Sequence, residues 1–275
     1  MRANTPSIAD LERAARRIRR RVVQMVARLG IGYLQQGLGA ADLFAAMYAR
    51  ELRLNEANPD WPDRDRFLLS TAHNTAVFYA AMAERGLIPE TALDDYTRDG
   101  SPFEVNASER VGALVEATCG SLGQGLSVGV GMALSLRRQG RSSRVYVVLG
   151  DGELQEGQVW EAAMSAAGFA LDTLCLIIDR NFMQVEGHTD AVMPMEPVAD
   201  KWTAFGWRTV TIDGNDMAAI VEALDDARAA KGRPTCIIAN TIPGRGIPDF
   251  EGRLSHMTAL SRDQADAALH ALEDQ

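Results

Sequence analysis

The chain has 275 residues, 47% of them hydrophobic, and carries 28 Lys and Arg against 37 Asp and Glu, a net charge of -9. This length and apolar fraction support a large α/β core, and the negative balance excludes binding of nucleic acid by charge alone. Cys119, Cys175 and Cys236 are odd in number and far apart, with no Cys-x-x-Cys pair, so a reducing cytoplasm is expected and neither a disulfide framework nor a zinc site is.

In chain order, residues 7–29 read as an amphipathic helix entered at Ser7, with Glu12 and many arginines on its polar face. Its basic run, 13–21, reads as a solvated helix face rather than a nucleic-acid or membrane patch, because the whole chain has the wrong sign for such partners. A second helix is expected over 37–52, then a turn-rich connection over 58–66 whose Pro and Asp residues break regular structure. A short buried strand (66–70) leads directly into a helix (71–86). A small-residue helix (123–140) closes on Gly140.

The most regular part follows. Strands over 144–150, 173–179 and 234–241 are continuous apolar runs, as in a parallel sheet covered on both faces. Between them lie helical stretches at 158–170 and 216–232, and 199–214 gives a helix and then a strand. This alternation predicts a doubly wound, mostly parallel α/β sheet with helices on both faces. No linker divides the chain, so a single domain over 1–275 with an N-terminal helical extension is expected. No run approaches membrane-spanning length, and no signal-type apolar core opens the chain.

Two polar stations stand at the carboxyl ends of two predicted parallel strands: Gly150-Asp151-Gly152 and Asp179-Arg180-Asn181. Ligands of open α/β sheets bind at that edge. Asp151 offers a charged oxygen and Asn181 a neutral one. With a backbone carbonyl near Met183, two diphosphate oxygens and a water, they fill an octahedral Mg²⁺ shell. The tripeptide by itself also reads as an ordinary strand-to-helix turn, with Asn181 a loop residue. The spacing is not Gly-x-Gly-x-x-Gly, so a dinucleotide site has little support.

Taken together, "GSLGQGLSVGVGMALSLR" (120–137), "GDGELQEGQVWEAAMSAAGFALD" (150–172), "DRNFMQVEG" (179–187) and "ADKWTAFGW" (199–207) resemble the thiamine-diphosphate domain of transketolases, above all the N-terminal subunits of split transketolases. The resemblance runs from about residue 10 to residue 260. It implies thiamine diphosphate with Mg²⁺ (or Ca²⁺ or Mn²⁺) as cofactors, and Asp151, Asn181 and the Met183 carbonyl as metal ligands. Gly150, Gly152 and Glu153 then belong to the cofactor site. Gly120, Ser121 and Leu122 form the loop on its aminopyrimidine side. Glu156 corresponds to an acidic residue of a cofactor-coupled subunit interface, and His73 and His256 to active-site histidines. His188 and His270 receive no role.

The resemblance also implies the function: transfer of a two-carbon ketol or acyl unit from a ketose or 2-oxo acid donor to an aldehyde acceptor. In the family the Glu that activates the aminopyrimidine lies in a second, pyrimidine-binding domain. Only a short tail follows residue 241, so a C-terminal partner subunit is expected, in an α2β2 assembly with no nucleic acid or membrane partner. The α subunit of a 2-oxo acid dehydrogenase or decarboxylase is the alternative reading. A third is a non-catalytic, cofactor-binding subunit. The pattern departs at Tyr33 and at Asn106 or Ala107, which stand where sugar-phosphate transketolases carry histidines. Fewer polar partners for substrate hydroxyls favour a smaller or less hydroxylated donor, or an unusual acceptor.

Overall fold

A computed structural model describes residues 5–253 and 255–273; residue 254, inside the stretch that carries His256, lies outside the described residues. The elements in chain order are α1 (Ile8–Leu29), β1 (Ile31–Gly32), α2 (Leu34–Ala46), β2 (Arg66–Leu69), α3 (Thr75–Glu84), α4 (Gln124–Arg138) and β3 (Val145–Gly150). There follow α5 (Gly157–Gly168), β4 (Leu174–Arg180), β5 (Met183–Gln184), β6 (Gly187–His188), α6 (Thr189–Val192), α7 (Val198–Ala204) and β7 (Arg208–Asp213). The chain ends in α8 (Met217–Ala229), β8 (Thr235–Asn240), β9 (Thr258–Ala259) and α9 (Arg262–Ala271).

Five strands form one sheet in the order β2-β3-β4-β8-β7, every neighbouring pair parallel. Successive side chains of a strand point to opposite faces, and both faces here are apolar. Tyr146, Val148, Cys175, Ile177, Ile237 and Ala239 pack on one face with α1, α2, α3 and α8. Val145, Val147, Leu149, Leu174, Leu176, Ile178 and Ile238 pack on the other with α4, α5 and α7. The doubly wound sheet expected from the sequence is therefore present, its strands within a residue or two of the predicted bounds.

Ser7 caps α1 as expected, closing a capping box with Asp10. The predicted second helix starts earlier, at Leu34, and its last turn, Met47–Glu51, is a π-helix. The first residues of the predicted 71–86 helix, Ala72–Asn74, form a 3₁₀ turn. The basic run of α1 is more than a solvated face. Arg19 is buried and paired with Asp42 through both guanidinium nitrogens. Arg17 and Arg21 meet Glu84, and Arg20 meets Glu273. These arginines fasten α1 to α2, α3 and the C-terminal end.

The tail beyond residue 241 is ordered into structure that periodicity did not show. Its strand β9 pairs antiparallel with β1, Ile31 opposite Ala259, and α9 packs against α1. Among the described residues no helix is long and apolar enough to cross a membrane.

Candidate active site

Register puts the two polar stations side by side. Gly150 of β3 pairs with Asp179 of β4 at the carboxyl edge of the sheet. A cleft of about 280 Å³ opens there. Every site residue expected from the sequence lines it except Gly120 and Ser121. Those two stand just before α4, where Gly120 adopts φ 138° against the Asn106 side-chain amide.

The centre of the cleft is a knot around Asp151, which is 5% exposed. Its carboxylate accepts hydrogen bonds from Gly152 N (3.0 Å), Phe182 N (2.8 Å) and Thr189 Oγ1 (3.1 Å). The Asn181 amide oxygen accepts from Met183 N (3.0 Å). Phe182, between them, takes φ 62°, in the left-handed region that non-glycine residues rarely occupy. The resulting turn brings the Met183 carbonyl oxygen toward Gly152, 3.9 Å from where a Cβ on that glycine would stand. Carboxylate, amide oxygen and carbonyl oxygen are the donors a hard divalent cation takes. Among the described residues no group of three or more His, Cys, Asp or Glu side chains is placed to hold a metal.

Electrostatics point the same way. Burial, with the neighbouring Asp179 as second cause, pushes the Asp151 carboxyl up to about 7. Asp179 is also pushed up by burial. It accepts from Asn74 Nδ2 (2.8 Å) and the Thr241 hydroxyl, so it braces β4 against β2's exit and β8. Two buried carboxyls this close favour a compensating cation.

Glu153 has another part. Its carboxylate accepts from Gly123 N (2.7 Å), Gly150 N (3.1 Å) and the Ser70 hydroxyl. It ties the ends of β2 and β3 to the start of α4 from beneath the cleft. Glu156 is exposed at the rim, its Cβ against Gly123.

The two histidines meet. His73, in the turn after β2, and His256, just before β9, approach through their Nε2 atoms at 3.1 Å. Burial and the adjacent His256 push His73 down to about 4, and burial lowers His256, so both imidazoles are neutral at pH 7. Tyr33, which follows β1, lies against both rings, with centroids 4.9 Å from His73 and 5.3 Å from His256. Ala107 is fully buried, its N–H bonded to Thr75 Oγ1 (3.3 Å), and the Asn106 amide lies against Gly120, whereas Tyr33 packs on the histidine pair.

Sequence reasoning missed several partners. Gln36 lines the cleft and donates to the His256 carbonyl at 3.0 Å. Thr189 holds Asp151 from 38 residues away along the chain. Neither residue type carries a local signal; only Asp179, inside the "DRN" stretch, stood beside a recognised position.

A parallel α/β sheet with this oxygen cluster at its carboxyl edge has its cleft where open α/β sheets bind ligands. The chain matches the family "Transketolase, thiamine diphosphate binding domain" over residues 11–273. It is 40% identical to 6-deoxy-6-sulfo-D-fructose transketolase subunit SqwG of a Clostridium species, over 96% of each chain. It is 35% identical to one subunit of the apulose-4-phosphate transketolase of Actinobacillus succinogenes, over 98% of each chain. A Pichia stipitis transketolase solved with sedoheptulose 7-phosphate superposes with a TM-score of 0.89 at 28% identity, over 97% of this chain and 41% of that one. The chain thus spans about two-fifths of that solved transketolase and nearly all of the two subunits. It belongs to the transketolase family, as a thiamine-diphosphate-binding domain. The resemblance read from the sequence stands, as do the fold and the reading as one subunit of a transketolase-like transferase that works with a partner.

Proposed function

We propose that this chain, as one domain over 1–275, is the diphosphate-binding half of a two-subunit transketolase-like enzyme. Its partner is a C-terminal, pyrimidine-binding subunit, in an α2β2 assembly in the cytoplasm. The three buried, unpaired cysteines fit a reducing compartment. The enzyme moves a two-carbon unit from a ketose or 2-oxo acid donor to an aldehyde.

The observation that carries this reading is the knot of Asp151, Asn181 and Met183. Asp151 and Asn181 Oδ1, with the Met183 carbonyl, would hold Mg²⁺, or Ca²⁺ or Mn²⁺ in its place, against the cofactor diphosphate. Gly150 and Gly152 keep the edge bare for close approach, and Leu122 with the loop at Gly120 and Ser121 would meet the aminopyrimidine end of the cofactor. When bound, thiamine diphosphate supplies a nucleophilic carbon and an electron sink for cleaving a C–C bond. Neutral His73 and His256 can pass a proton to or from a donor hydroxyl. Glu156, exposed at the rim, suits a contact with a second subunit.

Asp151→Ala tests the proposal. Calorimetric titration of the assembled complex with thiamine diphosphate and Mg²⁺ should show affinity lost while circular dichroism and assembly are kept. Unchanged binding sinks the reading.

A further inference from the structure

Phe182 packs against two planar groups. The Arg180 guanidinium carbon lies 4.3 Å over its ring centroid. The His188 ring is stacked on it, with centroids 5.6 Å apart and planes 25° from parallel. Both flanking groups are held from outside. Arg180 is ion-paired with Glu196 and reaches Asn240 Oδ1 at 3.2 Å. His188 Nδ1 accepts from Asp190 N at 3.3 Å, at the start of α6.

The backbone of Phe182 is the hinge of the oxygen cluster. Its N–H is bonded to Asp151 Oδ2, its carbonyl accepts from Thr189 N at 3.0 Å, and its φ of 62° turns the chain so that Asn181 and Met183 face the same space. A bulky aromatic residue does not choose that region by itself; Gly does, and Asn does more readily than others. Hydrogen bonds at its N–H and its carbonyl hold the Phe182 backbone from within the turn. The stack adds a hold on its side chain.

We infer that Arg180, Phe182 and His188 form a clamp that preorganises the cation site, with Phe182 a positioning residue for the Met183 carbonyl. This rests on the proposed metal site, so the test keeps the two apart. Mn²⁺ is titrated into the assembled complex with thiamine diphosphate and followed by electron paramagnetic resonance. Wild type and Asp151→Ala report whether the site exists.

Phe182→Asn suits the left-handed backbone but has no ring to stack, and it should bind Mn²⁺ about tenfold more weakly, or ~1.4 kcal/mol. Phe182→Tyr keeps the ring and should bind within about twofold of wild type. If Phe182→Asn binds as tightly as wild type, the side-chain bonds of Asp151 and Asn181 set the turn alone and the inference is wrong. If Phe182→Tyr weakens binding as much as Phe182→Asn, stacking is not the cause and the inference is also wrong. Should wild type itself bind no Mn²⁺, the fault lies in the proposed site.

Discussion

At the scale of the residue, Tyr33 packs against the two histidines of the cleft. It places a bulky ring against His73 and His256, where sugar-phosphate transketolases carry an imidazole. A hydrogen bond to a substrate hydroxyl is worth roughly 1–3 kcal/mol of discrimination when its partner is otherwise left unpaired. Tyr33→His should therefore raise the ratio of kcat/KM for xylulose 5-phosphate over hydroxypyruvate by about tenfold or more. A ratio that stays put would show that Tyr33 does not face the donor.

His73 makes a second residue-scale prediction. Its ordinary value of 6.5 falls to about 4 in the folded chain. The unfolded state thus takes up this proton first, so stability from neutral His73 is full above pH 6.5 and is lost as pH falls through 4. Asp151 runs the other way, since its raised value makes the metal-free fold lose stability as pH rises toward 7. The two offset each other in the wild type. The difference between wild type and His73→Gln isolates the histidine: wild type should lose about 3 kcal/mol relative to the variant between pH 6.5 and 4. Urea denaturation across that range measures it, and parallel pH profiles would contradict the burial of His73.

At the scale of the element, α4 shows how a helix is seated by what it lacks. Gly129 faces β3, and a Cβ there would stand 2.6 Å from Val147 Cγ2. Gly→Ala inside a helix ordinarily stabilises by about 0.5–1 kcal/mol. Here the clash should reverse the sign, because an overpacked core typically costs about 1–3 kcal/mol. Gly131, on the same helix with open space around it, serves as the control. Gly129→Ala should lower the urea midpoint and Gly131→Ala should raise it; equal effects would mean that α4 does not lie against the sheet this closely. The same seating holds the start of α4 for the site, since Gly123 N and Gly125 N bond to Glu153 and Ser70.

At the scale of the whole molecule, the proposed function makes the cleft one half of a site completed by a partner subunit. Glu156 is exposed at its rim and Val185, on the hairpin beside it, is 65% exposed. An exposed carboxylate and an exposed apolar side chain at the rim are groups the proposed partner subunit would meet. The chain purified alone should therefore show no transfer of a two-carbon unit with thiamine diphosphate and Mg²⁺, and adding the partner subunit should restore it. Turnover by the isolated chain would overthrow the two-subunit reading.

The sequence by itself determined what is local or periodic. Apolar runs such as "VYVVLG" and "LCLIID" marked buried parallel strands, because a strand covered on both faces has no polar side to show. The crossover from one to the next was enough to bring Asp151 and Asn181 to one edge, since parallel neighbours end together. What lay outside such patterns was decided only by the tertiary structure. Nothing near Tyr33 in the chain foretells His256; the short β1–β9 pair brings them together, and two-residue strands leave no periodicity to read. The sequence shows no partner for His188; its place beside the Phe182 ring follows from the β5–β6 hairpin. Arg19 looked solvated because a helix wheel shows which face is polar but not that Asp42 awaits it. Contacts between distant segments are fixed by how the elements pack, and packing depends on all of them at once.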